Sequence, residues 1–281
     1  MESLPLHREN MSIANDADVC IREVWDCNAR REFMLINKLL HSFPNVSIDT
    51  EFPGCFPVCY GSFSEEEHAY QMLKANVDNL KLIQVGFTLT NEHGELPMVS
   101  GACCAWQFNL SDFNIASDFY VESSIHLLRG SGIDLEKNRR EGIDSRRFGS
   151  LLMKYNLVCN RKIKYVCYQG DYDFAYLLKL LTGECMPMTR LEFGKKVQAF
   201  FGTVCDIRSL QTRYFHVRCG LEKFSEILGV KRISGVAHQA GSDSLLTSST
   251  YHILRHRYSC MDFHKVKLHH AISDAATTTV Y

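Results

Sequence analysis

Two carboxylates set two residues apart inside an apolar run, Val46-Ser47-Ile48-Asp49-Thr50-Glu51-Phe52, constrain this chain more than any other feature. The run reads as a buried strand. Strand side chains alternate, so Asp49 and Glu51 share one face while Ile48 and Thr50 point the other way. At about 3.3 Å per residue their Cα atoms lie about 7 Å apart, near enough for both carboxylates to close on one cation. Acids within an apolar strand are costly unless paired or bound to metal. The plainer alternative is a strand end carrying two solvated acids.

The surrounding pattern alternates strands with helices and contains no internal repeat, low-complexity tract or evident linker. Helical spacing predicts Asn28–Phe43, with Phe33, Ile36, Leu39 and Leu40 on one face, and Asp144–Val158, Tyr172–Leu181 and Gly241–Arg257. Ser64 followed by Glu67 predicts a capping box opening a helix toward Leu80. Leu82–Thr90 and Trp106–Phe108 read as antiparallel strands with the turn region at Asn91–Gly94, and Lys164–Tyr168 and Thr203–Ile207 as further strands. This order predicts an α/β fold, a mixed central sheet with helices on both faces. At 281 residues the chain is long enough for one such domain.

Composition excludes several classes. With 46% hydrophobic and 22% charged residues the chain is neither disordered nor fibrous. No apolar run approaches the ~18 residues of a membrane span, and Met1–Asn10 lacks an apolar stretch of signal-peptide length. The 12 cysteines are scattered without a Cys-x-x-Cys pair, so reduced thiols in a cytosolic or nuclear protein, mostly as small core residues, are expected. Cys55, Cys59 and His68 imitate part of a zinc site but lack its paired motifs. A balance of 31 basic against 32 acidic residues argues against broad electrostatic capture of nucleic acid, though not against a nuclease holding a few nucleotides.

Two later acids strengthen the functional reading. Asp173 and Asp243 both stand at predicted helix beginnings, where anions are favoured and where each alone is more often a cap than a ligand. Gathered with Asp49 and Glu51 they would repel: each pair ~4 Å apart costs about 1–4 kcal/mol at effective dielectrics of 80 to 20. Divalent cations remove that cost.

At these residues the chain resembles the DEDD superfamily of 3′-to-5′ exonucleases, whose fold is ribonuclease-H-like. Within it the likeness is to the associated-factor (Pop-type) poly(A)-specific ribonucleases of the CCR–NOT complex. It rests on Ile21–Trp25, Asp49-Thr50-Glu51-Phe52-Pro53-Gly54, Asn76-Val77-Asp78, Ile83–Gly86, Trp106–Asn109, Tyr172-Asp173-Phe174 and, most specifically, the unbroken run His238–Thr247. It spans roughly residues 19–258, which implies an N-terminal extension at 1–18, an exonuclease domain at 19–258 and a divergent tail at 259–281. The end of that tail, His264–Tyr281, is polar and expected to be mobile.

The resemblance implies a deadenylase that binds two divalent ions, Mg²⁺ or Mn²⁺, through Asp49, Glu51, Asp173 and Asp243. Asp49 would bridge both ions, Glu51 and Asp243 would complete the water-activating site, and Asp173 would serve the second. His238, five residues before Asp243, places the chain in the histidine subclass and makes this imidazole the general base; histidine as a class suits that task near neutral pH. Poly(A) RNA, the NOT scaffold and the second deadenylase of the complex are the implied partners, with no membrane, and cytoplasm and nucleus the implied locations. Gln169-Gly170-Asp171 stands where the family usually has His-Ser-Gly, and Cys219-Gly220-Leu221 where it often has Gly-Gly before Leu. Asp171 is therefore an N-cap or an added charge near the second ion. A weakly active or inactive deadenylase-like scaffold, and an exonuclease acting on other RNA or DNA ends, are the competing functions. His252 and His256 form an i, i+4 pair without the glutamate of a metalloprotease helix. At 1.5 Å per residue they lie about 13 and 20 Å beyond Asp243 and read as surface histidines.

Overall fold

A computed structural model describes residues 18–57 and 64–263. In chain order its elements are β1 (Val19–Val24), α1 (Asp26–Leu39), β2 (Asn45–Glu51), α2 (Glu65–Asn79), β3 (Gln84–Thr90), β4 (Met98–Val99), β5 (Ala102–Asn109), α3 (Glu122–Gly130), α4 (Leu135–Glu141), α5 (Ser145–Lys154), β6 (Lys164–Cys167), α6 (Asp171–Thr182), α7 (Arg190–Phe201), β7 (Thr203–Asp206), α8 (Ile207–Leu210), α9 (Leu221–Ile227) and α10 (Ala240–Arg257). A single π-helical turn, Gln211–Phe215, follows α8. The strands form one mixed sheet in the order β1-β5-β3-β2-β6-β7, with β4 on β5. β3 runs antiparallel to β2 and β5, whereas β1–β5, β2–β6 and β6–β7 are parallel pairs. The expected mixed sheet is present.

Its two faces differ because the strand residues alternate. One face carries Val46, Ile48, Val85, Phe87, Leu89, Trp106 and Phe108, all buried in the main core. Phe33 of α1 and Phe148 of α5 pack there, with Phe33 to Phe108 at 5.0 Å and Phe87 to Phe108 at 5.3 Å between ring centroids. Offset and edge-on contacts of this kind add to simple area burial. The same layer holds a buried charge: Glu32 accepts two 2.8 Å bonds from Arg22 and one of 3.1 Å from Trp106 Nε1, tying α1 to β1 and β5.

The opposite face is small and polar: Ser47 and Asp49 of β2, Gly86 and Thr88 of β3, Gln107 of β5. α10 lies on it. Thr88 Oγ1 meets Ser244 Oγ at 2.9 Å, and the Gly241 N–H donates to Gln107 Oε1 at 3.0 Å. Ser242, Ser244, Thr247, Ser248 and Thr250 of α10 are all buried, so this helix is enclosed for most of its length.

Most expected elements are present with shifted ends. Asn28 Oδ1 accepts the Trp25 N–H, so α1 starts earlier, at Asp26. Ser64 caps α2 by accepting the Glu67 N–H, but the Glu67 carboxylate takes Gln71 instead of closing the box. Asp144 caps α5, and Asp206 ends β7 by accepting the Arg208 N–H. Three expectations need correction or fall elsewhere. Of the described cysteines only Cys104, Cys167 and Cys205 are buried; Cys27, Cys55, Cys159, Cys185 and Cys260 are exposed. His252 is buried rather than on the surface, because Thr90 on the polar sheet face offers its hydroxyl at 2.8 Å; His256 is exposed as expected. Cys59 and the polar tail lie outside the described residues.

Gly86 sets how closely α10 approaches the sheet. A Cβ at this position would stand 1.8 Å from the Ala240 carbonyl oxygen and 2.6 Å from the Gly241 nitrogen. Gly86→Ala is therefore expected to cost at least the ~1–3 kcal/mol typical of overpacking. Denaturant unfolding should show this loss, and a stability within error of the parent chain would contradict the packing described.

Candidate metal centre

The close approach at Gly86 carries the start of α10 to the carboxyl end of β2. Asp49 and Glu51 are paired across the ladder with Gly86 and Gln84. Gly241 adds a second tight point, since a Cβ there would lie 2.8 Å from Ile21 Cγ2 and 2.9 Å from Gln107 Cβ. With the helix lodged this way, Asp243 in its first turn faces the two strand acids. One ligand atom each from Glu51, His238 and Asp243 all lie within 4.8 Å of one another.

The approach to α10 is shaped by the same carboxylate. Asp243 Oδ2 accepts the backbone N–H of His238 at 2.9 Å, curling the loop back by five residues. His238 takes a left-handed φ of 61°, uncommon for a residue with a side chain, and its carbonyl accepts Ser131 Oγ at 2.8 Å. Its own side chain is exposed beside the acids. The orphan N–H groups at the start of α10 are met by buried amides: Gly241 by Gln107 and, more distantly, Ala240 by Gln84 at 3.4 Å. Glu23 holds Gln107 at 2.8 Å and Asn109 at 2.7 Å, completing that framework.

Asp173 arrives from the other helix layer. Thr50, which points away from Asp49 and Glu51, donates its hydroxyl to Asp173 Oδ1 at 2.5 Å. The α6 helix opens at Gly170 as N-cap, so Asp171 occupies its first turn and is not the cap. Both acids favour the positive end of that helix.

The profile described as "CAF1 family ribonuclease" matches residues 24–147. "Probable CCR4-associated factor 1 homolog 10" of Arabidopsis thaliana is 44% identical over 268 residues, 93% of this chain and 96% of its own length. The chain belongs to the CAF1 ribonuclease family. "Poly(A) ribonuclease pop2" of Schizosaccharomyces pombe is 40% identical, covering 85% of this chain and 70% of that relative. Its solved structure, the Mg²⁺- and Mn²⁺-bound form of Pop2p, superposes with a TM-score of 0.81 over 85% of this chain and 93% of that one. The yeast NOT1 MIF4G domain structure co-crystallised with CAF1 matches with a TM-score of 0.72, 27% identity and coverage of 87% and 91%. Escherichia coli exonuclease I, at 12% identity, a TM-score of 0.53 and coverage of 77% and 41%, shares the fold. The expected ribonuclease-H-like architecture is thus present in this CAF1-family chain.

Electrostatically the corner behaves as one unit. Burial, followed by the negative charges of Asp243, Asp173 and Glu51, pushes Asp49 well above the usual carboxylate range. Glu51 is raised by burial and then by Asp243 and Asp173. Burial also raises Asp243, although Arg232 and the His238 N–H pull it down. Asp173 is pushed up to about 7, mainly by burial, against the opposing bond from Thr50. Asp171 is pushed up to about 8 by burial and by Asp206, with Arg190 opposing. This donor set is hard, anionic and crowded, which fits divalent ions bound through oxygen.

Sequence reasoning missed Arg232, whose guanidinium pairs with Asp243 at 2.7 Å and Glu222 at 2.5 Å. It also missed the Thr50 bond. Neither carries a local signal; Thr50 is legible only once its face is seen to meet α6.

The raised Asp173 has a thermodynamic sign. Its folded-state value, about 7, exceeds the ordinary carboxylate value near 4, so the fold favours its neutral form. That contribution is complete below about pH 4 and is lost as pH rises through about 7. In chelator, the melting-temperature advantage of the parent chain over Asp173→Asn is expected to shrink between about pH 5 and 7 and then level. An advantage that grows with pH would contradict the assignment.

Proposed function

We propose that this CAF1-family chain is a 3′-to-5′ exoribonuclease that shortens poly(A) tails with two divalent ions, releasing 5′-AMP as a subunit of the CCR–NOT complex. One observation carries the reading: Glu51, His238 and Asp243 offer ligand atoms within 4.8 Å of one another, and Asp49 feels the charges of Asp243, Asp173 and Glu51. Asp49, Glu51, Asp173 and Asp243 would hold the ions. Divalent ions bound there would supply charge stabilisation to the attacking and leaving oxygens of an in-line phosphoryl displacement. The Mg²⁺- and Mn²⁺-bound form of the S. pombe relative supports divalent ions in this family, and the NOT1 complex of yeast CAF1 supports a NOT scaffold as partner.

Within this reading the chain's residues divide the work. Asp49, which feels the charges of Asp243, Asp173 and Glu51, would serve both ions. Glu51 and Asp243 share the end of the site that His238 faces, where the imidazole takes the proton of the attacking water. Asp243 also fixes the His238 backbone, so ligand and base are set by one carboxylate. The substrate is the 3′ end of poly(A) RNA, the second deadenylase of the complex is a further partner, and the protein works in cytoplasm and nucleus. A weakly active scaffold is the second reading; it is favoured by Asp171, an extra acid two residues from Asp173.

The test is shortening of 5′-labelled RNA ending in adenosines, with Mg²⁺, Mn²⁺ or chelator, beside the same RNA with a non-adenosine tail. Stepwise loss of adenosines that stops in chelator is expected; an intact tail under all ion conditions would favour the scaffold.

Asp49→Ala is expected to abolish shortening while leaving a folded protein whose metal-free melting temperature is unchanged or higher, since one repelling charge is gone. His238→Ala should slow turnover by roughly 10²-fold and flatten the acid limb of the pH–rate curve. Near-parent turnover of Asp49→Ala at saturating Mg²⁺ would sink the ligand assignment, and an unchanged pH profile would remove His238 as base.

Asp171 and Asp173 separate in the same assay. Asp171→Gly should stay active, with at most a shifted ion requirement, while Asp173→Ala should be nearly inactive. The reverse outcome would show that the ligand has been misplaced by two residues.

A further inference from the structure

Arg232 sits on the loop between α9 and α10, six residues before His238, and its side chain is 13% exposed. Its guanidinium reaches three groups on two elements: Asp243 Oδ1 at 2.7 Å, Ser242 Oγ at 2.6 Å and Glu222 Oε2 at 2.5 Å. The loop is pressed onto the first turn of α10. Ser242 Oγ donates to the Ser234 carbonyl at 2.8 Å, and Gly235, at φ 73°, leaves a Cβ there only 2.7 Å from Ser242 Cβ. Arg232 is thus held against a carboxylate that the ion-binding reading needs.

We propose that Arg232 is a built-in countercation of the acid cluster, a positioning residue that neutralises Asp243 until divalent ions arrive. The inference rests on the two-ion reading and deepens it. Four carboxylates in one half-buried corner repel, and a chain that must fold before it meets metal needs a partial remedy of its own. A guanidinium supplies this without leaving the site, because it stays charged at any physiological pH and spans two carboxylates with its planar fork. Asp243 Oδ1 is held by Arg232 and Oδ2 by the His238 N–H, so the carboxylate is oriented before any ion binds. The same cation opposes the ions electrostatically and so tempers their affinity. Removing it leaves an uncompensated, largely buried carboxylate.

The experiment measures the melting temperature of the full chain in chelator and in saturating Mg²⁺ for the parent, Arg232→Met, Arg232→Lys and Glu222→Gln. A ligand that binds only the folded state raises this temperature in proportion to its binding free energy. Arg232→Met should melt lower in chelator and gain roughly twice the parent's Mg²⁺-induced rise. Arg232→Lys, which keeps the charge, and Glu222→Gln, which keeps the cation but loses its outer anchor, should show the parent's rise. If Arg232→Met does not fold, Arg232→Gln, which removes the charge but keeps hydrogen-bond donors, takes its place with the same expected enlarged rise and the same overturning result.

Equal losses for Arg232→Met in chelator and in Mg²⁺ would make Arg232 a clamp only and overturn the proposal. So would a lysine variant whose Mg²⁺-induced rise matches that of Arg232→Met or departs from the parent's. A parent chain with no Mg²⁺-induced rise would instead remove the ion-binding reading, and this inference with it.

Discussion

Repulsion among four carboxylates in one half-buried corner is the constraint to which the neighbouring structure answers. Each of Asp49, Glu51, Asp173 and Asp243 is raised from its ordinary value, with burial the leading cause in every case. A fold with nothing to gain from that crowding would lose little by placing one of these acids elsewhere. Here three elements are instead brought to the same point. Thr50 satisfies Asp173, the His238 N–H and Arg232 satisfy Asp243, and divalent ions would remove the remaining cost.

The two-faced sheet makes this convergence geometrically possible. Its apolar face, built around Phe87, Trp106 and Phe108, holds the main core and supplies much of the burial that folding requires. The opposite face can then be small and polar without leaving the domain short of a core. Gly86 and Gly241 let α10 settle against backbone, and Gln84 and Gln107 meet the N–H groups that its first turn exposes. Most of the apolar burial and most of the site geometry therefore lie on different sides of the same strands, with two crossings: Gly86 sets helix packing on the polar face, and Thr50 reaches Asp173 from the apolar one.

Asp49 and Glu51 were legible because strand alternation is a local rule and β2 obeys it. Helix-period spacing likewise revealed α1, α5, α6 and α10 with small errors at their ends. Local rules failed where long-range contacts decide. β1 escaped notice because Arg22 and Glu23 interrupt its apolar pattern; Arg22 is neutralised by Glu32, ten residues on, and Glu23 accepts hydrogen bonds from the side-chain amides of Gln107 and Asn109 on β5. His252 looked like a surface residue until Thr90 supplied its partner from 162 positions away. α7 is a different kind of miss: Thr189 caps it, and Phe193, Val197 and Phe201 repeat at helical spacing, so its signal was present and unread. Nothing local marks Arg232, whose importance arises from where Asp243 is placed.

The account turns on the proposal that this corner would hold two divalent ions, with Asp49 a ligand to both. Electron paramagnetic resonance of the full chain titrated with Mn²⁺ tests it without reference to turnover. The account predicts two Mn²⁺ per chain with spin coupling appropriate to ~3.5–4 Å, falling to one uncoupled ion at most in Asp49→Ala. Two isolated ions in the parent chain, or a coupled pair that survives in Asp49→Ala, would contradict it.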